Sequence, residues 1–315
     1  MRVGFHSNCI SLRGTEVALY DYADFNESLL GNESVIFTPH HSPVHHQKVF
    51  PKFFNRFPVS MYDTREELAD LVQRLGIDVM YFIKQGDNDG LLVPGCKNVV
   101  HAVFQYYEPH GHAYAYISEW LSNVVSKGQV PFVPHMVRPP QDLSSHLRQE
   151  LGIPEDATVF GRHGGSDTFD IDGVQTVVQR VAQEAPNTYF IFMNTNRFCE
   201  PRRNVIFLEG TSDPVLKQRF INTADCMLHA RAAGETFGLA VAEFSVSNKP
   251  VLTWSKSRER AHLDILGDKA LLYHGGPDLF EQLLSFDRSQ QRNWDAYSEH
   301  FSPEPVMKKF AEVFL

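Results

Sequence analysis

Short runs of β-branched and aromatic residues alternate along this chain with stretches whose apolar positions recur at helical spacing, the pattern of parallel strands joined by crossover helices. Val3-Gly4-Phe5, Val35-Ile36-Phe37, Val79 to Ile83 and Val99-Val100 read as buried strands. Between them, Ala18, Tyr22, Phe25 and Leu29 fall on one helical face, as do Leu68, Leu71, Val72 and Leu75. The alternation restarts after Pro139-Pro140, with strands at Val159-Phe160, Tyr189 to Met193, Val205 to Leu208, Cys226-Met227-Leu228 and Val251-Leu252. Val174, Val177, Val178 and Val181 supply the first crossover helix of that second half. Right-handed crossovers make both halves Rossmann-like, so the expected fold class is α/β with two such domains facing a cleft.

The segment Val133-Pro134-His135-Met136-Val137-Arg138-Pro139-Pro140 is rich in proline and lacks periodicity, which places the linker there. The expected domains are 1–138 and 139–300, followed by a last helix over 301–315 with Val306, Phe310 and Val313 on one stripe. A length of 315 residues agrees with two domains of ordinary size. Hydrophobic residues at 43% and charged residues at 21% are ordinary globular values. A net charge of −9 argues against nucleic acid as the main partner, because that role needs clustered Lys and Arg. No apolar run approaches the roughly 20 residues of a membrane span. Met1-Arg2-Val3-Gly4-Phe5-His6 lacks the apolar stretch of a signal peptide, so a cytoplasmic protein is expected. The four cysteines, Cys9, Cys96, Cys199 and Cys226, form no CxxC pair and read as free thiols.

The most informative stretch runs from Gly234 to Glu243 and reads Gly-Glu-Thr-Phe-Gly-Leu-Ala-Val-Ala-Glu, following a strand and opening an apolar helix. With a helix start near Thr236, the amides of Phe237, Gly238 and Leu239 are unpaired first-turn donors, and the helix dipole favours a diphosphate there. Gly238 lets the backbone approach closely. At 1.5 Å per residue, Glu243 lies within about 12 Å of Glu235 along the axis, a span one extended ligand can bridge. Alone, Glu235 would be a favourable acid at a helix start. Glu243 sits among Ala240, Val241, Ala242 and Phe244, where a carboxylate is costly unless it has a partner.

This stretch resembles the E-x7-E signature of the group 1 glycosyltransferases, glycosyltransferase family 4, which have the GT-B architecture. The surroundings are similar too: Asn204 to Gly210 resembles the family's strand and turn beside the nucleotide base, Ala224 to His229 the strand feeding the signature, and Asn248-Lys249-Pro250-Val251-Leu252 the strand after it. The resemblance implies a retaining hexosyltransferase that needs no metal and no cofactor beyond its nucleoside-diphosphate sugar donor. Its partners would be that donor and a glycan or other hydroxyl acceptor. It implies Glu235 on donor-sugar hydroxyls, Glu243 on the ribose, Thr236, Phe237, Gly238 and Leu239 along the sugar and diphosphate, and Gly210 and Thr211 beside the base.

Arg162 matches the family's basic position after the first strand of the second domain, where a guanidinium stabilises the leaving diphosphate. The family's later lysine is missing, since Gly164-Gly165 leads into Ser166-Asp167-Thr168-Phe169-Asp170. Either the amides of Gly164 and Gly165 replace it, or a cation such as Arg231 does, or phosphate stabilisation is weaker than in the family. In the first half, Gly14 opens a helix after a polar loop, like the family's glycine loop across the cleft. His101 matches a histidine near the anomeric carbon, and the last helix is expected to return to the first domain.

His40-His41 and His45-His46 flank a loop with no Cys or acidic neighbour in sequence to complete a metal site, and a place near the acceptor suits them better. Asp87-Asn88-Asp89 and Asp170-Ile171-Asp172 spell D-x-D, a pattern too short to assign to metal, and the sequons at Asn26 and Asn32 are read as silent. Two other functions fit the same pattern: a non-catalytic nucleotide-sugar-binding protein and a GT-B-type sugar-nucleotide epimerase. A small-molecule oxidoreductase fits less well, because neither half has a clear G-x-G-x-x-G after its first strand.

Overall fold

The computed structural model describes residues 1–315, which divide into two units: 1–136 with 300–315, and 137–299. In the first unit, strands β1 (Arg2–His6), β2 (Glu33–Pro39), β3 (Val59–Tyr62), β4 (Val79–Lys84), β5 (Lys97–Ala102) and β6 (Ala113–Tyr116) form one sheet in the order β3-β2-β1-β4-β5-β6. Every pairing in it is parallel. Helices α1 (Gly14–Ser28), α2 (Phe50–Phe54), α3 (Arg65–Arg74) and α4 (Glu119–Ser126) belong to the same unit. β4 is buried at every position, as a central parallel strand covered on both faces must be.

The second unit repeats the plan. Its elements are β7 (Thr158–His163), α5 (Asp172–Glu184), β8 (Thr188–Met193), β9 (Val205–Leu208), α6 (Pro214–Thr223), β10 (Cys226–His229), β11 (Gly234–Glu235), α7 (Leu239–Val246), β12 (Val251–Trp254), β13 (Glu259–Arg260), α8 (Ala261–Leu266), β14 (Ala270–Tyr273) and α9 (Gly276–Leu284). Six of the strands pair in the order β14-β12-β10-β7-β8-β9, while β11 and β13 form a separate two-stranded pair. In both large sheets the first strand of the unit lies beside the fourth, which is the doubly wound Rossmann order. α5 buries Val174, Val177, Val178 and Val181 against Phe160, Phe190 and Phe192 of the sheet.

α10 (Ser298–Phe301) leads into α11 (Pro303–Phe314), which packs on α1 and β6 of the first unit. Its buried stripe is Val306, Met307, Phe310 and Phe314, whereas Val313 is half-buried. Phe310 stacks on Tyr22 at 5.2 Å and on Phe5 at 6.3 Å, so the chain's last turns complete the first unit's core. On α1 the buried face is Ala18, Leu19, Tyr22, Ala23 and Asn26; the expected Leu29 follows the helix end and is 41% exposed. The four cysteines are free thiols, and no helix is long and apolar enough to cross a membrane.

Candidate functional site

In open α/β sheets the carboxyl ends of the first and fourth strands diverge to opposite faces and leave a crevice for ligands. In the second unit those strands are β7 and β10, which end at His163 and His229. Arg162 sits at the end of β7, and the segments leaving the two strands carry Gly164, Arg231 and Glu235.

Glu235 is held by the pairing of β11 with β13, in which Gly234 faces Glu259 and Glu235 faces Arg260. The Glu235 side chain is 20% exposed; Arg231 Nη1 donates to its Oε2 at 2.8 Å, and His229 Nε2 lies 3.2 Å from its Oε1. Burial pushes this carboxyl up, but the His229 hydrogen bond and the Arg231 charge outweigh burial and hold it down at about 2. It is ionised at neutral pH. The Arg231 guanidinium makes no other hydrogen bond within the protein, so its remaining donors are available to a ligand.

Gly234 explains why the turn can form. Its φ is +82°, and a Cβ there would lie 2.0 Å from the Glu259 carbonyl oxygen and 2.7 Å from Ser257 Cβ. Gly234→Ala must therefore open the β11–β13 pair as well as bear a left-handed backbone, and should destabilise the second unit by about 2 kcal/mol or more. Gly173→Ala, in α5 with open space around it, is the control and should be neutral or stabilising. Chemical denaturation of both variants measures the difference.

The helix carrying the second glutamate starts later than the sequence suggested. α7 begins at Leu239, and Gly238 precedes it with φ +92°, a conformation that cannot continue a right-handed helix upstream. The first helical bond runs from the Ala242 N–H to the Gly238 carbonyl at 2.9 Å. The orphan amides are thus those of Leu239, Ala240 and Val241, rather than Phe237, Gly238 and Leu239. Thr236 and Phe237 are buried in the approach turn, where the Phe237 carbonyl accepts from Tyr297 Oη at 3.3 Å. A Cβ on Gly238 would lie 3.3 Å from Glu235 Cβ, so Gly238 and Glu235 are immediate neighbours.

Glu243 lies one turn into α7 with its side chain 18% exposed. Lys217 from α6 is ion-paired with it, and His163 Nε2 from the end of β7 lies 3.1 Å from its Oε2. Burial raises this carboxyl, and the Lys217 charge with the His163 contact reverses that and holds it at about 2. These partners answer the cost of a carboxylate on an apolar helix. Gly210 and Thr211 are half-buried in the segment leading into α6, where Thr211 Oγ1 accepts from the Asp213 N–H and Asp213 caps the helix.

Arg162 does not offer a free guanidinium. It is 3% exposed and donates to the carbonyls of Asn194 (3.3 Å) and Gly165 (2.7 Å) and to the hydroxyls of Thr195 and Thr168. Burial draws its pKa down to about 10, with the Glu235 charge acting in the opposite direction. Its evident work is to brace the Gly164–Thr168 loop. Gly164 is half-buried, and its carbonyl accepts from Asn194 Nδ2 at 2.7 Å.

In the first unit, Gly14 is exposed at the start of α1, after a loop tied down by buried Glu16, which accepts from Ser7 Oγ at 3.0 Å and from Ser11 Oγ. The expectation that His101 faces a ligand is corrected. Its side chain is fully buried; Nδ1 lies 2.7 Å from Tyr81 Oη, Nε2 lies 2.8 Å from the Val133 carbonyl, and Tyr22, His135 and Phe314 enclose the ring. A strand-end position on an inward-facing register made it a core residue. The histidine loop after β2 borders an open hollow of about 420 Å³ lined by His40, His41, Ser42, Pro43, His45 and Gln47. His45 spans that loop's base, accepting from the Ile10 N–H at 3.0 Å with its other nitrogen 2.9 Å from the Pro39 carbonyl.

No family model matches the chain, and no curated protein matches it by sequence. Solved structures do match over its whole length. Anabaena HepE in complex with UDP and glucose superposes with a TM-score of 0.74 at 16% identity, covering 99% of this chain and 98% of that one. A glycosyltransferase from Rickettsia africae gives 0.72 at 10% identity, covering 99% and 97%. WaaG, a glycosyltransferase involved in lipopolysaccharide biosynthesis, gives 0.64 at 14% identity, covering 99% of each chain. With its two parallel six-stranded sheets, the chain has the GT-B fold.

Proposed function

We propose that this chain is a glycosyltransferase that moves a hexose from a nucleoside-diphosphate sugar to a hydroxyl of a glycan or small molecule, with retention at the anomeric carbon. The observation that carries the proposal is the pair of ionised, half-buried carboxylates, Glu235 and Glu243, set on either side of the Gly238 turn and the α7 N-terminus. Carboxylates that accept from sugar and ribose hydroxyls, with backbone donors between them, match a nucleotide sugar end to end. Similarity to HepE, whose structures include a complex with UDP-glucose, supports the same ligand class here.

In this reading Glu243 accepts from the ribose, Gly210 and Thr211 border the base, and Glu235 holds the sugar, with Thr236 and Phe237 shaping the turn around it. The Leu239 amide and its neighbours on α7 meet the diphosphate, with Gly238 keeping the approach open and the Gly164 loop on its other side. Arg231 supplies the cation that Arg162 does not, as its unused donors lie beside Glu235. As the glycosidic bond to phosphate breaks, negative charge grows on the leaving diphosphate, where Arg231 and the α7 amides stabilise it. The acceptor hydroxyl attacks from the same face and passes its proton to the departing phosphate, so no protein base is needed and His101 has no part in the step. Cationic help from the chain itself makes the transfer independent of metal.

Calorimetry with UDP, GDP and ADP, and turnover with their hexose conjugates, test this. One nucleoside diphosphate should bind, and its sugar conjugate should release it with or without chelator. Binding of none would overturn the proposal; activity lost to chelator and restored by manganese would overturn metal independence. Conversion of the donor's sugar without release of nucleotide would identify an epimerase instead.

A further inference from the structure

Behind Glu235 lies a row of buried polar groups that the transfer step does not use. His229 and Thr253 are register partners on the adjacent strands β10 and β12, and His229 Nδ1 lies 2.8 Å from Thr253 Oγ1. His262 from α8 places Nε2 3.2 Å from the same hydroxyl, with its ring centroid 4.8 Å from that of His229. Thr253 and His262 are fully buried, and His229 is 5% exposed. At the far end, His262 Nδ1 is buried with no partner.

The proton positions in this row follow from its two ends. Glu235 is an ionised acceptor, so His229 Nε2 carries a hydrogen and donates to it. Were His229 also protonated at Nδ1, it would donate to Thr253, Thr253 would donate to His262 Nε2, and His262 would be left with a buried N–H at Nδ1 facing nothing. Orphaned buried N–H groups are rarer than under-used acceptors. A second positive charge beside Glu235 would also lack a counter-charge, since Arg231 already pairs with that carboxylate. The reverse order satisfies every donor: His262 Nε2–H to Thr253, Thr253 O–H to His229 Nδ1, His229 Nε2–H to Glu235. Burial, which drives the His262 ring down to about 3, keeps it neutral as that order requires.

We infer that His229, Thr253 and His262 form a one-way hydrogen-bond chain that positions Glu235, leaving each of its oxygens one lone pair free for a hydroxyl of the bound sugar. His229 is a positioning residue, and the inference rests on Glu235 being the sugar contact proposed above. Threonine at position 253 is the only member of the chain whose hydroxyl both accepts and donates, so the whole order depends on it.

Thr253→Val keeps the shape and removes both bonds. Turnover of the nucleotide-sugar donor should fall about 10–100-fold, as expected for a misplaced reacting group. Free nucleotide affinity should stay within about twofold, because that ligand does not reach Glu235, and Thr253→Ser should restore the rate. A loss of stability alone would reduce both readouts together and leave the serine variant no better. Ring-nitrogen spectra of ¹⁵N-histidine-labelled protein, assigned with His229→Gln and His262→Gln, read the chain without any substrate: both histidines should be Nε2–H tautomers with bare Nδ1. An Nδ1–H signal for His262, undiminished turnover in Thr253→Val, or no rescue by serine would overturn the inference. Failure of wild type to bind any nucleotide sugar would instead strike the functional proposal, and the spectra would still decide the chain.

Discussion

Glu235→Ala should lower donor turnover about a hundredfold while leaving affinity for the free nucleoside diphosphate nearly unchanged, and Glu243→Ala should do the reverse. The first loss is the scale of removing one preorganised group from a transition state. The second is a charged hydrogen bond to ribose, about 1.5–3 kcal/mol, or roughly 10–150-fold in nucleotide affinity. The structure adds a control to each. Removing Glu235 leaves Arg231 without its carboxylate, so Glu235→Gln, which keeps the shape and one acceptor, should fall between wild type and alanine. Removing Glu243 leaves Lys217 and His163 facing each other, so Glu243→Gln separates loss of the ribose contact from rearrangement around Lys217. Calorimetry with nucleotide and kinetics with donor are run after circular dichroism confirms folding. Equal nucleotide affinity in wild type and Glu243→Ala would remove the ribose assignment, and unchanged turnover in Glu235→Ala the sugar assignment.

The fold was legible wherever strands are buried on both faces. Tyr189 to Met193 is a continuous apolar run because β8 is covered on both sides, and it occupies β8 in the structure. β3 and β14 were not legible for the opposite reason. Each lies at a sheet edge or ends a sheet, and Val59-Ser60-Met61 or Ala270-Leu271-Leu272 is only partly buried, so its apolar signal is short and interrupted. Within the site, the spacing of Glu235 and Glu243, the apolar neighbours of Glu243 and the resemblance to the E-x7-E signature singled out both, because they sit on one continuous turn and helix. Their partners are different in kind. Lys217 and His163 reach Glu243 from α6 and β7, while Thr253 and His262 reach Glu235 through His229 only once β10 and β12 are paired. Nothing local in the sequence marks such residues; a histidine ending one strand beside a threonine within the next is the nearest signal. Arg162 and His101 mislead for a related reason: sequence gives their place at strand ends, but not that neighbouring carbonyls and hydroxyls consume their donors.

Stability should fall steeply as pH drops below about 6.5, before most carboxylates titrate. His6, His101 and His262 are buried, and burial lowers their pKa values to about 3, 4 and 3. Each is depressed relative to the unfolded chain, so between about pH 4 and 6.5 the unfolded state binds protons the native state refuses, and stability is lost as pH falls. One such group contributes a slope of about 1.4 kcal/mol per pH unit, and three together about 4. Against a typical total of about 5–15 kcal/mol, two to three pH units remove most of the margin. Below about 4.5 the window of Glu235 and Glu243 opens, because their native pKa values near 2 make protonation of the unfolded state add to the same loss. Buried Glu16 acts the other way: its carboxyl is raised by burial, so the native state takes up that proton first and offsets part of the loss. Denaturant unfolding at pH 7.5, 6.5, 5.5 and 4.5 measures the slope. His101→Gln, which keeps polar contacts to Tyr81 and the Val133 carbonyl within reach but cannot titrate, should reduce the first unit's slope by about 1.4 kcal/mol per unit. Equal stability at pH 7.5 and 5 would show that the rings are protonated in the native protein after all.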